Sequence, residues 1–329
     1  MKRREFITLV SSAMAVWPIS LRAQQSNTVR RVAVLLPAVA DDEIFQVRVM
    51  AFLQELALLG WNVGRNVRID IRWATDNAAE IRRHAAELVA LAPDVILATG
   101  DATMPPLLQA TRTIPIVFPV VLDPVAAGYV DSLARPGGNA TGFMLHEYSL
   151  SGKWLELLKE VAPSVTRVAV LRDVTQGSGI SQFSVIQAMA PLLRMEVTPI
   201  NLHTAVEIER AVAAFARVPN GGLIMTSSAA AVHHRDLTIT LAARHKLPAV
   251  YWQRFFAAAG GLISYGADIV SQYRRAAGYV DRILKGEKAQ DLPVQAPNKY
   301  ELVINRKTAE DIGLTLPQSL LGRADEVID

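Results

Sequence analysis

At 329 residues, 51% hydrophobic and 20% charged, the chain is too apolar to be disordered and too long for a single hydrophobic core, so two domains are expected. Its formal charge of +3 sits at the start: Lys2, Arg3, Arg4 and Arg22 outweigh Glu5, and beyond residue 23 the chain carries 30 basic and 30 acidic residues, without the lasting basic surplus of a nucleic-acid binder. The absence of cysteine excludes disulfides, thiol chemistry and a lipidated thiol, and leaves stability to core burial.

Residues 1–23 read as a cleavable export signal. Lys2-Arg3-Arg4 is the positive segment, Phe6 to Trp17 is apolar and uncharged, Pro18 closes the stretch, and a small-residue cleavage site follows at Ala23. The stretch is shorter than the roughly 20 residues that cross a bilayer, so no stable membrane insertion is expected. The pair Arg3-Arg4 resembles a twin-arginine signal and is also common in general secretory ones, which leaves the route open. Either route leads to the periplasm.

Beyond the signal, short apolar runs alternate with helical stretches. Arg31-Val32-Ala33-Val34-Leu35 is a continuous apolar run, the pattern of a strand buried on both faces of a parallel sheet. Ile44 to Leu59 repeats apolar residues at helical spacing and stops at Gly60. Asp76-Asn77 precede a helix from Ile81 to Leu91, which Pro93 ends, and two further strands follow at Val95 to Thr99 and Ile114 to Phe118. The turn-rich Pro136-Gly137-Gly138-Asn139 suits the approach to a hinge around residues 140–150.

The series then repeats. Arg31 to Leu35 recurs identically as Arg167 to Leu171, Val95 to Thr99 is echoed by Gly222 to Thr226, and Ile114 to Phe118 by Leu247 to Tyr251, in the same order. Helices at Ser181 to Leu193, Val206 to Phe215 and Leu237 to His245 separate the second set. The predicted fold is therefore α/β, two doubly wound parallel-sheet lobes joined by a hinge. Leu262 to Gly266 reads as a strand returning to the first lobe, with the helix from Asp268 to Lys285 packed on it. This gives an N-terminal lobe of 24–143 plus about 262–290 and a C-terminal lobe of 144–261 plus about 291–329.

Catalytic and cofactor motifs are missing from the sequence. There is no G-x-G-x-x-G after a strand, no phosphate-binding G-x-x-x-x-G-K-[ST] loop, no G-x-S-x-G elbow and no H-E-x-x-H, so no cofactor, no metal and no catalytic residue is expected. His233 and His234 are neighbours and point about 100° apart on a helix, which prevents them from sharing one metal.

In open α/β sheets, ligands sit beyond the carboxyl ends of the strands. That rule nominates Asp101 and Thr103 after the strand at Val95, Asp123 after that at Ile114, Asp173 after that at Arg167, Ser227 and Ser228 after that at Gly222, and Trp252 and Arg254 after that at Leu247, with Tyr265 as an aromatic wall. For a zwitterionic ligand, Arg254 is the expected carboxylate partner, and Asp101 or Asp123 the ammonium partner.

Several longer stretches carry a family resemblance: Arg31-Val-Ala-Val-Leu-Leu, Asp123-Pro-Val-Ala-Ala-Gly, Arg135-Pro-Gly-Gly-Asn-Ala-Thr-Gly, Gly260-Gly-Leu-Ile-Ser-Tyr-Gly and Tyr300-Glu-Leu-Val-Ile-Asn-Arg-Lys-Thr-Ala. They span the mature chain, which resembles the ABC-transporter substrate-binding proteins of the type I periplasmic-binding fold, a family that includes binders of tryptophan and other aromatic amino acids. The resemblance implies a non-enzymatic, monomeric protein that captures a small organic ligand for separate permease and ATPase subunits. A sensory protein of the same fold, feeding a receptor or kinase, is the alternative. Gly100-Asp101 and the alanine-rich segment Ser227 to Val232 depart from the family pattern and leave the ligand open.

Overall fold

The computed structural model of the chain describes residues 29–75, 77–175 and 177–329; the export signal expected over 1–23, and Asp76, lie outside the described residues. The first lobe is built from β1 (Arg30–Leu36), α1 (Glu43–Leu58), β2 (Val67–Trp73), α2 (Ala78–Ala90), β3 (Val95–Ala98), α3 (Met104–Ala110), β4 (Ile116–Val121) and β5 (Ala140–Met144). These strands form one five-stranded sheet in the order β2-β1-β3-β4-β5, every neighbouring pair parallel. Strands β3, β4 and β5 are buried along their whole length, as the unbroken apolar runs require of a sheet covered on both faces.

The second lobe continues with α4 (Leu150–Val161), β6 (Arg167–Arg172), α5 (Gly177–Met189), β7 (Glu196–Asn201), α6 (Ala205–Phe215), β8 (Gly221–Met225), α7 (Ala229–His233), α8 (Arg235–Arg244), β9 (Ala249–Tyr251), α9 (Arg254–Ala258) and β10 (Ile263–Ala267). After α10 (Ile269–Leu284) come β11 (Tyr300–Asn305), α11 (Arg306–Asp311), α12 (Gln318–Leu321) and β12 (Glu326–Ile328). The second sheet runs β12-β11-β10-β9-β8-β6-β7, and within it only the pair β10–β11 is antiparallel. The repeated runs occupy equivalent places: β1 and β6, β3 and β8, and β4 and β9 hold the same positions in the orders β2-β1-β3-β4-β5 and β7-β6-β8-β9-β10.

One expectation is overturned. The strand at Leu262 to Gly266 does not return to the first lobe; as β10 it pairs with β9 through Ile263 and Val250 and with β11 through Ser264 and Val303. The equivalence of the two sheets supplies the reason, since β10 stands to β9 as β5 stands to β4. A buried strand carries the same apolar pattern whichever sheet it joins, and β5 and β10 share too little sequence for the repeat to reveal them as partners. The chain crosses one step later, at Asp268, whose carboxylate accepts from the Ser271 N–H at 3.0 Å and starts α10.

Helix α10 packs on α1 and β4 of the first lobe. Trp61 Nε1 donates to Asp281 at 2.9 Å and Gln272 Nε2 to the Met144 carbonyl at 2.6 Å, tying the helix down at both ends. The first lobe also keeps the chain longer than expected: Gln295 exchanges backbone hydrogen bonds with Gly142 and Met144 beside β5, both at 2.9 Å, before the chain crosses back to β11.

Both fifth strands lie tight against the segment before them. A Cβ on Gly266 would stand 1.8 Å from the Trp252 carbonyl oxygen, and one on Gly142 2.0 Å from that of Phe118. Gly266→Ala should therefore push β10 from the Trp252 loop and cost about 1–3 kcal/mol of stability, measured as a lower urea midpoint with an unchanged slope.

Candidate functional site

The strand tips of the two lobes face each other across a cavity of about 290 Å³. The first lobe contributes Pro37 after β1, Phe45 and Arg48 from α1, Thr99 to Ala102 after β3, and Val120, Leu122 and Leu145. The second contributes Asp173, Thr175 and Ser178 after β6, His203 after β7, Ser227 to Ala230 after β8, and Trp252 after β9. Five of the nine predicted residues therefore meet in one place: Asp101, Asp173, Ser227, Ser228 and Trp252.

Asp101 is the acidic group of the first lobe. Its carboxylate accepts from the Leu122 N–H at 3.3 Å and has no ion-pair partner among the described residues. Burial, reinforced by the nearby charge of Asp123, pushes its carboxyl up to about 6. Across the cavity the carboxylate of Asp173 is occupied by its own turn, accepting from the Thr175 N–H at 2.8 Å and hydroxyl at 2.6 Å. Helix α5 begins hard against that turn, for a Cβ on Gly179 would lie 1.9 Å from the Asp173 carbonyl oxygen.

Ser227 and Ser228 are also held by the fold. Gln182, fully buried on α5, accepts from both the N–H and the hydroxyl of Ser227 at 2.9 Å, and Ser228 caps α7 by accepting from the Ala231 N–H at 3.0 Å. His146 in the hinge stands 3.2 Å from the Ser227 hydroxyl, and burial brings it down to about 4, so it is neutral near pH 7. Trp252 lines the cavity, packed edge-on against Phe255 and Phe256.

The other four predicted residues stand elsewhere. Thr103 is buried behind the cavity, its hydroxyl donating to the Thr99 and Gly100 carbonyls at 3.1 Å. Asp123 caps a turn by accepting from the Ala126 N–H at 2.9 Å and does not line the cavity. Tyr265 stacks on Tyr300, ring centroids 5.8 Å apart. Arg254 forks onto Glu326 of β12 at 2.6 and 2.7 Å, on the outer edge of the second sheet. The loops that the strand-end rule nominated after β3, β6, β8 and β9 do line the cavity, together with the first turns of α1, α5 and α7, while Thr103, Asp123, Arg254 and Tyr265 stand outside it.

Sequence reasoning missed Arg48, Phe45, Thr175 and His203. Arg48 had a readable signal. Phe45, Val49, Phe52 and Leu56 make the buried stripe of α1 at helical spacing, and Arg48 sits within it, an ionised group where the pattern calls for an apolar one. Among the described residues no cluster of metal-ligating side chains occurs, and no helix is long and apolar enough to cross a membrane.

Residues 32–328 match the family model described as ABC transporter substrate binding protein. A tyrosine-binding protein of Clostridioides difficile (strain R20291) is 26% identical over 269 residues, covering 80% of this chain and 75% of that protein. Among solved structures, a conserved domain protein from Vibrio cholerae O1 biovar El Tor superposes with a TM-score of 0.84 at 27% identity, over 91% of this chain and all of the other. The ABC domain in complex with L-Trp from Streptococcus pneumonia also scores 0.84, at 22% identity over 92% of this chain and 100% of that one.

Two measurements test the geometry. A carboxyl raised above its unfolded value near 4 adds stability below that pH, and this stability is lost as pH rises through about 6. Asp101→Asn should therefore make the ligand-free protein more stable than the parent above pH 6, by on the order of 2 kcal/mol, with the gap closing toward pH 4 in urea titrations. Arg254→Ala, by contrast, removes a half-exposed surface pair and should change stability by no more than about 1 kcal/mol.

Proposed function

This chain belongs to the ABC transporter substrate-binding protein family, and we propose that it is the exported solute-binding component of an importer, which captures an amino acid or aromatic carboxylate between its lobes and delivers it to a permease. The observation that carries this reading is the shared cavity, lined by strand tips of both lobes. A ligand that touches both lobes gains contacts only when they close, so binding shifts the protein toward the closed form, and that differential contact is the mechanism.

The lining suits such a ligand. Asp101 is an unpaired carboxylate suited to an ammonium group, and Phe45, Leu122, Leu145 and Trp252 provide apolar and aromatic surface for a side chain. The tyrosine-binding relative and the tryptophan complex favour an aromatic amino acid. Ser227 lies beside His146, but its hydroxyl donates to Gln182 and is not available for transfer to the imidazole, so we read the site as one of binding and not of catalysis. The partners in this reading are a permease and an ATPase on other chains, the binding protein itself is a monomer, and its compartment is the periplasm.

A thermal-shift screen of amino acids and aromatic acids should find at least one that stabilises the protein, by about 2.7 kcal/mol at 100 times its dissociation constant. Asp101→Ala should weaken that ligand at least about tenfold in calorimetry, a loss of roughly 1.4 kcal/mol. A screen in which no solute shifts the melting temperature would refute the proposal.

A further inference from the structure

Arg48 is 4% exposed and lies on the inward stripe of α1, between Phe45 and Phe52. Its guanidinium stands 4.8 Å from the ring centroid of Phe45 on the same helix and 5.8 Å from that of Phe255 on α9, in the other lobe. Among the described residues it has no ion pair and no hydrogen-bond acceptor. The groups that bear on it electrostatically are Asp42 and Tyr273. Asp42 accepts from the Ile44 and Phe45 N–H groups at the start of α1, and the Tyr273 hydroxyl lies 2.6 Å from that of Thr99. Asp42 attracts the guanidinium from a distance, and neither group forms an ion pair or hydrogen bond with it.

Five N–H donors and a full positive charge thus face the cavity between two aromatic rings, one from each lobe. A buried ion without an opposite charge is among the costliest features a protein can hold, and cation–π contact with two rings offsets only part of that cost. The burial also lowers the tendency of Arg48 to hold its proton. Asp101 lines the same cavity and does not pair with it. The cavity therefore presents two unmatched charges of opposite sign, as a zwitterion would require.

We infer that Arg48 anchors an anionic group of the solute, a carboxylate in the case of an amino acid, and that its burial without a partner is what opposes closure of the empty lobes. The inference rests on the solute-binding reading above. Moving α9 away with the second lobe takes Phe255 from Arg48 and returns the guanidinium to water. Closing around a carboxylate supplies the counter-ion, and a planar guanidinium takes it through two parallel hydrogen bonds. Closing on nothing leaves the charge stranded. The same residue would set ligand class, because a molecule that keeps the ring and the amine but lacks the carboxylate fails to satisfy it.

The test uses the mature chain with L-tyrosine, L-tryptophan and their decarboxylated amines, tyramine and tryptamine, and compares the parent with Arg48→Met, an apolar residue of similar length. Small-angle scattering without ligand should show the parent opened relative to the closed form, and Arg48→Met more compact. Calorimetry should show that Arg48→Met loses at least about 30-fold in affinity for whichever amino acid the parent binds, and that the parent rejects the matching amine. Ligand-free scattering identical for the two proteins, or affinity within about threefold, would overturn the inference. If the parent binds neither amino acid, that counts against an aromatic amino acid as ligand, and the scattering comparison still decides the role of Arg48. Should Arg48→Met fail to fold, equal affinity of the parent for the amino acid and its amine would overturn the inference.

Discussion

Parallel strands need a crossover between each pair, and the crossover carries the chain back to the starting edge every time. All five strands of the first sheet, and β6 to β10 of the second, therefore finish on a common edge. Loops and helix starts collect at that edge, with free N–H groups and short polar side chains that the sheets cannot use. Duplicating the unit and turning the two edges toward each other makes a cavity with no contribution from any dedicated binding segment.

Within that cavity, polar groups fall into two kinds. Asp173, Ser227 and Ser228 are engaged by Thr175, Gln182 and Ala231, and their hydrogen bonds hold the loops in shape. Asp101 and Arg48 make no ion pair among the described residues. A satisfied group rigidifies and an unsatisfied one recognises, because only the latter gains a partner when a solute arrives. Thr103 and Asp123 stand in suitable loops and have structural parts: each is bonded to backbone atoms of its own turn and lies outside the cavity lining.

The lobes are joined by chain that belongs to the architecture of both. Helix α10 lies on the first lobe although it follows β10 of the second, and Tyr273 on it reaches the Thr99 hydroxyl at the tip of β3, 2.6 Å away. Trp154, fully buried at the start of the second lobe, donates to the Tyr265 carbonyl at 2.8 Å, and the apolar cluster that contains it also includes Leu122 and Leu145 of the cavity wall. The crossings thus run directly behind the site.

Much of this was legible in the residues. Continuous apolar runs such as Val32 to Leu36 can be stable only with both faces covered, so the parallel sheets follow from local pattern, and the exact repeat of Arg31 to Leu35 at Arg167 to Leu171 carries the duplication. The strand-end loops follow from those two. Tertiary structure decided which sheet β10 joins, since pairing partners leave no trace in a strand that is apolar throughout. It also decided that Arg48 and not Arg254 faces the cavity: both are arginines near aromatic residues, and only the packing of α1 against α10 and the pairing of Arg254 with Glu326 of β12 separate the inward charge from the one held at the surface. Local pattern specifies what each segment is, while the direction of a charged side chain depends on neighbours distant in the chain.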